Sequence, residues 1–217
     1  MTEIRKFDLS GGDPALDFAN TKSWREPGDR RSDRLESYAD LVDWGWQAGV
    51  VEDGVARRLL DAARREPARA AAELEQAKRV REAIFEGFAA LAAGEPVPDR
   101  ALAGLNVSLP AAMSRLRLEA GEAGAVWAWS PEESLERVLW PVVRAAGDLL
   151  TSPEREQVRE CASDTCGWLF IDGSRNHSRR WCDMKVCGNR VKVRRHRSKG
   201  EHEGKESGEE GGSAERG

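Results

Sequence analysis

Four cysteines occur in this 217-residue chain, and all of them fall between positions 161 and 187. Their order is Cys161, four residues, Cys166, fifteen residues, Cys182, four residues, Cys187. Two close pairs joined by a short loop are a strong constraint on folding. Each pair closes a small chelate ring, and the loop brings the pairs together around one tetrahedral ion. The first ten residues, Met1 to Ser10, lack the basic start and apolar centre of a secretory signal. A cytoplasmic location is therefore expected, where thiols stay reduced. Clustered thiols there read first as metal ligands. Four thiolates fill every tetrahedral position of a zinc ion, so one structural Zn2+ is expected, with no open site for chemistry. Spacing leaves two alternatives standing: buried free thiols and a redox switch.

Charge divides the chain in the same place. Residues 1–160 carry 22 Lys/Arg against 29 Asp/Glu, residues 161–199 carry 10 against 3, and residues 200–217 carry 2 against 6. An acidic body with one concentrated basic stretch points to a polyanionic partner for that stretch. Internal neutralisation by the acidic body or tail is the bland alternative. No apolar run of about 18 residues occurs, so no membrane span is expected. There is no nucleophile motif and no phosphate loop, and an enzyme is not expected.

The body reads as mainly α with a small β-hairpin. Pro14 to Thr21 follows turn-forming glycines and reads as a short helix or extended piece. Ser32 and Asp33 can cap a helix running to about Ala48, with Leu35, Ala39, Val42 and Trp46 on one face and Gly49 as its stop. A helix from Asp53 to Arg65 follows. Pro67 opens a long one, with Leu74, Ala77, Ile84, Phe85, Phe88 and Leu91 as its apolar stripe, ending at Gly94. The next stretch, rich in proline and small residues, reads as a loop. Arg115–Glu119 and Val126–Trp129 flank a glycine turn and predict a hairpin. Ser130 to Glu133 predicts a capping box for a helix through Leu150, kinked at Pro141. The boundaries expected are 1–152 for the helical domain, 153–199 for the cysteine module and 200–217 for a disordered acidic tail.

Inside the module, Gly167 allows a tight turn beside Cys166, and Trp168–Ile171 reads as a buried strand. A polar, basic loop joins the pairs. After Cys187, Arg190, Arg194 and Arg197 share one helix face. A knuckle hairpin followed by a metal-anchored helix is a treble-clef-like arrangement. Phosphate contacts need exposed Lys/Arg on a rigid surface. Arg175, Arg179, Arg180, Arg190, Lys192, Arg194, Arg195 and Arg197 are the candidates. Asn176 and Asn189 could read adenine or cap turns, the second being favoured. His177 reads as a surface group rather than a fifth ligand, and Trp181 as module core.

Cys187-Gly188-Asn189-Arg190, with Arg180-Trp181-Cys182 before it and Cys166-Gly167-Trp168-Leu169-Phe170 upstream, resembles the CGNR zinc finger. Leu16-Asp17-Phe18-Ala19-Asn20-Thr21 resembles the opening of the ABATE domain that precedes this finger. The resemblance implies a bacterial, stress-induced transcription regulator with a DNA-binding finger. The expected partner is double-stranded DNA. A protein-interaction adaptor with a structural zinc module, or a thiol redox sensor, is the alternative. A single finger offers little contact area for tight, selective binding, so a homodimer is expected. In the N-terminal domain, Asp17, Asn20 and Thr21 form a polar group in an apolar segment. They are candidates for binding a small-molecule effector, or else a set of caps and turns. The tryptophans Trp24, Trp44, Trp46, Trp127, Trp129 and Trp140 are expected mostly in the core.

Overall fold

The computed structural model describes residues 6–23 and 33–194. Six helices, two separate antiparallel hairpins and a last helical stretch over 189–194 are the main elements of the described chain. The first helix, α1 (Pro14–Ala19), starts where the Asp13 side chain accepts from the Ala15 amide, with proline at the position that needs no donor. Helix α2 (Tyr38–Gln47) begins later than the sequence suggests. Ser37 and Asp40 form a reciprocal capping box there. Asp33 is not the cap, because its carboxylate is taken by Arg81 and the Leu35 amide. Ser32 and Trp24 lie outside the described residues.

The buried face of α2 is Tyr38, Leu41, Val42, Trp44 and Gly45. Ala39 and Trp46, expected inward, face solvent. Helix α3 (Asp53–Arg65) has the predicted limits. Helix α4 (Pro67–Ala92) is the central strut, about 39 Å long at 1.5 Å per residue. The stretch expected as a loop is instead helix α5 (Asp99–Met113). Pro110 sits in its interior, which is why the sequence argues against it. Gly104 lets it lie close to α4: a Cβ there would stand 2.7 Å from the Ala83 Cβ.

Strands β1 (Leu116–Gly121) and β2 (Gly124–Trp129) form the predicted hairpin, with Leu118 opposite Trp127 and Leu116 opposite Trp129. Ser130 to Glu133 does not start a helix. A 3-10 turn, Leu135–Val138, begins at Ser134 and runs into α6 (Leu139–Thr151). Glu132 and Glu133 instead form ion pairs with Arg115, and with Arg58 and Arg65. Pro141 falls in the first turn of α6, where no donor is missed, so it does not break the helix.

The second hairpin carries the cysteine module. After a 3-10 turn at Pro153–Gln157, β3 (Val158–Glu160) pairs with β4 (Leu169–Ile171). Strand alternation sends Leu169 and Ile171 one way and Phe170 the other. Leu169 and Val158 are buried in the main core with Phe18, Trp44 and Trp140, and Ile171 packs against it. Phe170 is buried with the four cysteines. One short strand thus belongs to both cores. No described helix is long and apolar enough to cross a membrane.

Candidate metal centre

The four cysteine side chains are buried, and their sulfurs lie within 4.8 Å of one another. Cys166 and Cys182 are 3.6 Å apart, and Cys182 and Cys187 3.7 Å. Zn–S bonds of about 2.3 Å at tetrahedral angles put sulfurs about 3.8 Å apart. The donor set therefore fits one structural zinc ion.

The first pair sits on the β3–β4 hairpin. The Cys161 amide donates to the Trp168 carbonyl at 2.8 Å, and the Cys166 amide to the Ser163 carbonyl at 3.0 Å. Gly167 has φ +69, a conformation other residues rarely adopt. The second pair sits on a wide turn, Met184–Gly188, in which the Cys187 and Gly188 amides both donate to the Asp183 carbonyl. The Asp183 side chain caps it by accepting from Val186 at 2.9 Å. The chain then continues as a helix over 189–194, to the edge of the described residues. Knuckle hairpin, second knuckle and helix follow in treble-clef order.

Thiols this crowded cannot all ionise unaided. Hydrogen bonds from Cys166 and Cys182 pull Cys161 down to about 2, helped by the Cys182 and Ser163 amides. The same contacts with Cys161 push Cys166 and Cys182 up, and burial pushes Cys187 up. One thiolate forms at the expense of its neighbours. A dication removes that conflict and lets all four serve as ligands.

Asp172, wholly buried, organises the loop between the pairs. Its carboxylate accepts from the Ser174 amide and hydroxyl, at 3.0 and 2.6 Å, and from the Arg179 amide at 3.0 Å. Burial pushes its pKa up, but these bonds outweigh it and hold the carboxyl below its usual range. His177, with φ +45, sets its Nδ1 3.1 Å from the Asp172 carbonyl and faces solvent. It is a turn residue and not a fifth ligand. Asp172-Gly173-Ser174 is a turn signature that the sequence reading could have used.

The basic candidates divide into two groups. Arg179 bonds the Trp181, Ile171 and Cys182 carbonyls and covers the Phe170 ring at 4.5 Å. Arg190 reaches the Thr165 hydroxyl at 3.3 Å, tying the helix to the first knuckle. Arg194 pairs with Asp164. Arg180 lies over the Trp181 ring at 5.6 Å. Arg175 and Lys192 are exposed and have no hydrogen bond or ion pair among the described residues. The Lys185 ammonium, which the sequence reading passed over inside the second pair, is likewise exposed and unpaired among the described residues. Arg195 and Arg197 lie outside the described residues, as does the acidic segment 200–217. Asn189 donates to the Lys185 carbonyl at 2.9 Å, as a cap.

Asp17, Asn20 and Thr21 are brought together, but each has internal partners. Asp17 accepts from the Gly11 amide at 2.7 Å. Burial raises its pKa to about 6, with Asp13 and Asp8 adding to the shift. Asn20, 2% exposed, pairs with Leu169 through both ends of its amide: Nδ2 donates to the carbonyl at 2.8 Å and Oδ1 accepts from the amide at 2.9 Å. It acts as a one-residue strand beside β4. The Thr21 hydroxyl donates to the Phe18 carbonyl and accepts from Arg81. Arg81 is 1% exposed and grips Asp33 with two bonds of 2.7 and 2.6 Å. Nothing in the sequence marks this buried arginine, which stands in an ordinary helical charge pattern.

The two units are joined at further points. The Ile171 amide donates to the Gly11 carbonyl at 2.8 Å, and the Trp168 indole N–H to the Ser23 hydroxyl at 3.1 Å. Residues 12–153 match the model of the ABATE family, described as "Putative stress-induced transcription regulator". Residues 157–200 match that of the CGNR zinc finger. No curated protein matches the chain.

Proposed function

Because the chain belongs to the ABATE family and carries a CGNR zinc finger, we propose that it is a transcription regulator whose finger grips double-stranded DNA. In this reading the helical domain receives a signal or pairs two chains, and the zinc ion folds the finger and aims its basic surface. No catalytic step is part of the proposal.

One observation carries the reading. The finger docks on the helical domain through Trp168, Leu169 and Ile171, while its cationic residues lie on the loop and helix beyond them. Arg175, Lys185 and Lys192 are exposed without internal partners, and Arg180 adds its guanidinium beside them in sequence. Arg179 and Arg190 support the surface instead, through carbonyls and Thr165. Internal neutralisation by the acidic body is weakened as an alternative, since among the described residues only Arg194 has a carboxylate partner in this set.

The test is fluorescence anisotropy of the zinc-loaded protein on duplex DNA across salt. Four to five phosphate contacts should lower the affinity by roughly two to three orders of magnitude between about 50 and 200 mM salt. Charge-removing changes at Arg175 and Lys192 should weaken binding on every sequence alike. Salt-insensitive binding, or none, would make the finger an adaptor surface for a protein.

A further inference from the structure

Helices α4, α5 and α6, with the 3-10 turn before α6, line a half-open cavity of about 350 Å3, apart from both the metal centre and the basic surface. That volume is within the range of small-molecule sites. Its walls are largely apolar, with Val107, Leu139, Trp140 and Val143 among them. Two carboxylates, Glu73 and Glu136, also line it. Neither makes a hydrogen bond or ion pair among the described residues. Arg79, the cation on the same wall, is held elsewhere: Nε and Nη2 donate to the Gln76 amide oxygen at 3.0 and 2.8 Å. The Gln76 NH2 donates in turn to the Ser108 hydroxyl at 3.0 Å.

Two features show that this wall is incomplete as it stands. Burial and the nearby Glu136 raise the pKa of Glu73, and the opposing pull of Arg69 and Arg79 does not cancel them. Trp140 is 2% exposed, and its indole N–H has no acceptor among the described residues. The Trp140 ring already lies beneath Arg137 and Arg115, so a cationic ligand finds its counter-charge in the carboxylates and not over the indole.

We infer that this cavity binds a small organic monocation, its apolar body against Val107, Leu139, Trp140 and Val143 and its ammonium head held by Glu73 and Glu136. The inference gives the signal of the regulator reading a chemical class and rests on that reading for its purpose, but the binding itself requires no DNA.

Isothermal titration of the full-length, zinc-loaded protein tests it with three probes of one shape. Phenoxyethylamine is the cation, phenoxyethanol the neutral isostere and phenoxyacetate the anion. The amine should bind at least about tenfold more tightly than the alcohol, and the anion should not bind. Glu73→Gln and Glu136→Gln should each weaken the amine about tenfold or more. Both variants should keep the alcohol affinity and the thermal midpoint, since both carboxylates are partly exposed. Equal affinities for amine and alcohol, no heat with the amine, or unchanged amine binding in both variants would overturn the inference. Amine binding in a protein that ignores DNA would overturn the regulator reading and leave this one standing.

Discussion

Asn20 forms a two-way hydrogen bond with the Leu169 backbone in a buried site, and no other side chain reproduces it. Asn20→Ala leaves a buried amide and carbonyl unpaired, and should cost about 2 to 4 kcal/mol in urea unfolding. Asn20→Asp should cost at least as much, because one carboxylate oxygen then faces the Leu169 carbonyl. Asp17 makes a different prediction. Its folded pKa of about 6 lies above its ordinary 3.8, so the folded state holds the proton more tightly than the unfolded chain. Its contribution to stability is thus most favourable below about pH 4 and is lost as pH rises through 6. Unfolding free energies of the native protein and Asp17→Asn should separate over that window, the native losing ground with rising pH, by up to about 3 kcal/mol. Polarity at positions 17, 20 and 21 was visible in the sequence. Their partners were not, since Gly11, Leu169 and Arg81 are brought to them only by folding.

Elements with strong local signals were legible: the limits of α3, the proline start of α4 and the glycine turn of the first hairpin each follow from nearby residues. Helix α5 was not, because Pro110 and a run of small residues disguise it, and packing on α4 decides its state. Gly104→Val should test that packing. Its added atoms meet the Ala83 Cβ, and the variant should lose about 1 to 3 kcal/mol in thermal unfolding. The start of α2 was displaced because Asp33, a good cap by type, is drawn to Arg81, 48 residues away, a long-range pairing no local pattern contains. The zinc ligands were readable in full, since thiol spacing is itself the constraint. The role of Arg179 and Arg190 was not, because residue type does not tell an arginine that holds carbonyls from one that awaits a phosphate.

At the scale of the molecule, the metal and the helical core are mechanically joined. Leu169 lies in one core and Phe170, beside it, in the other. Stripping zinc with a chelator should therefore lower the thermal midpoint of the helical domain as well as the finger. Cys187→Ala should show the same loss without chelator. Calorimetry should record one transition in the zinc-loaded protein; two independent transitions, with the upper unmoved by zinc, would refute the coupling.

The shared strand also determines where the chain can be cut. The family matches meet between residues 153 and 157, yet a polypeptide ending there would lack Val158, Leu169 and Ile171. It would present an uncovered patch on the core and leave the Asn20 amide without its partner. The complementary fragment would carry the same three apolar side chains to water. Expressed apart, both halves should be poorly soluble, and mixed in equal amounts with zinc they should reassemble. What sequence comparison divides into two modules is packed around one shared core.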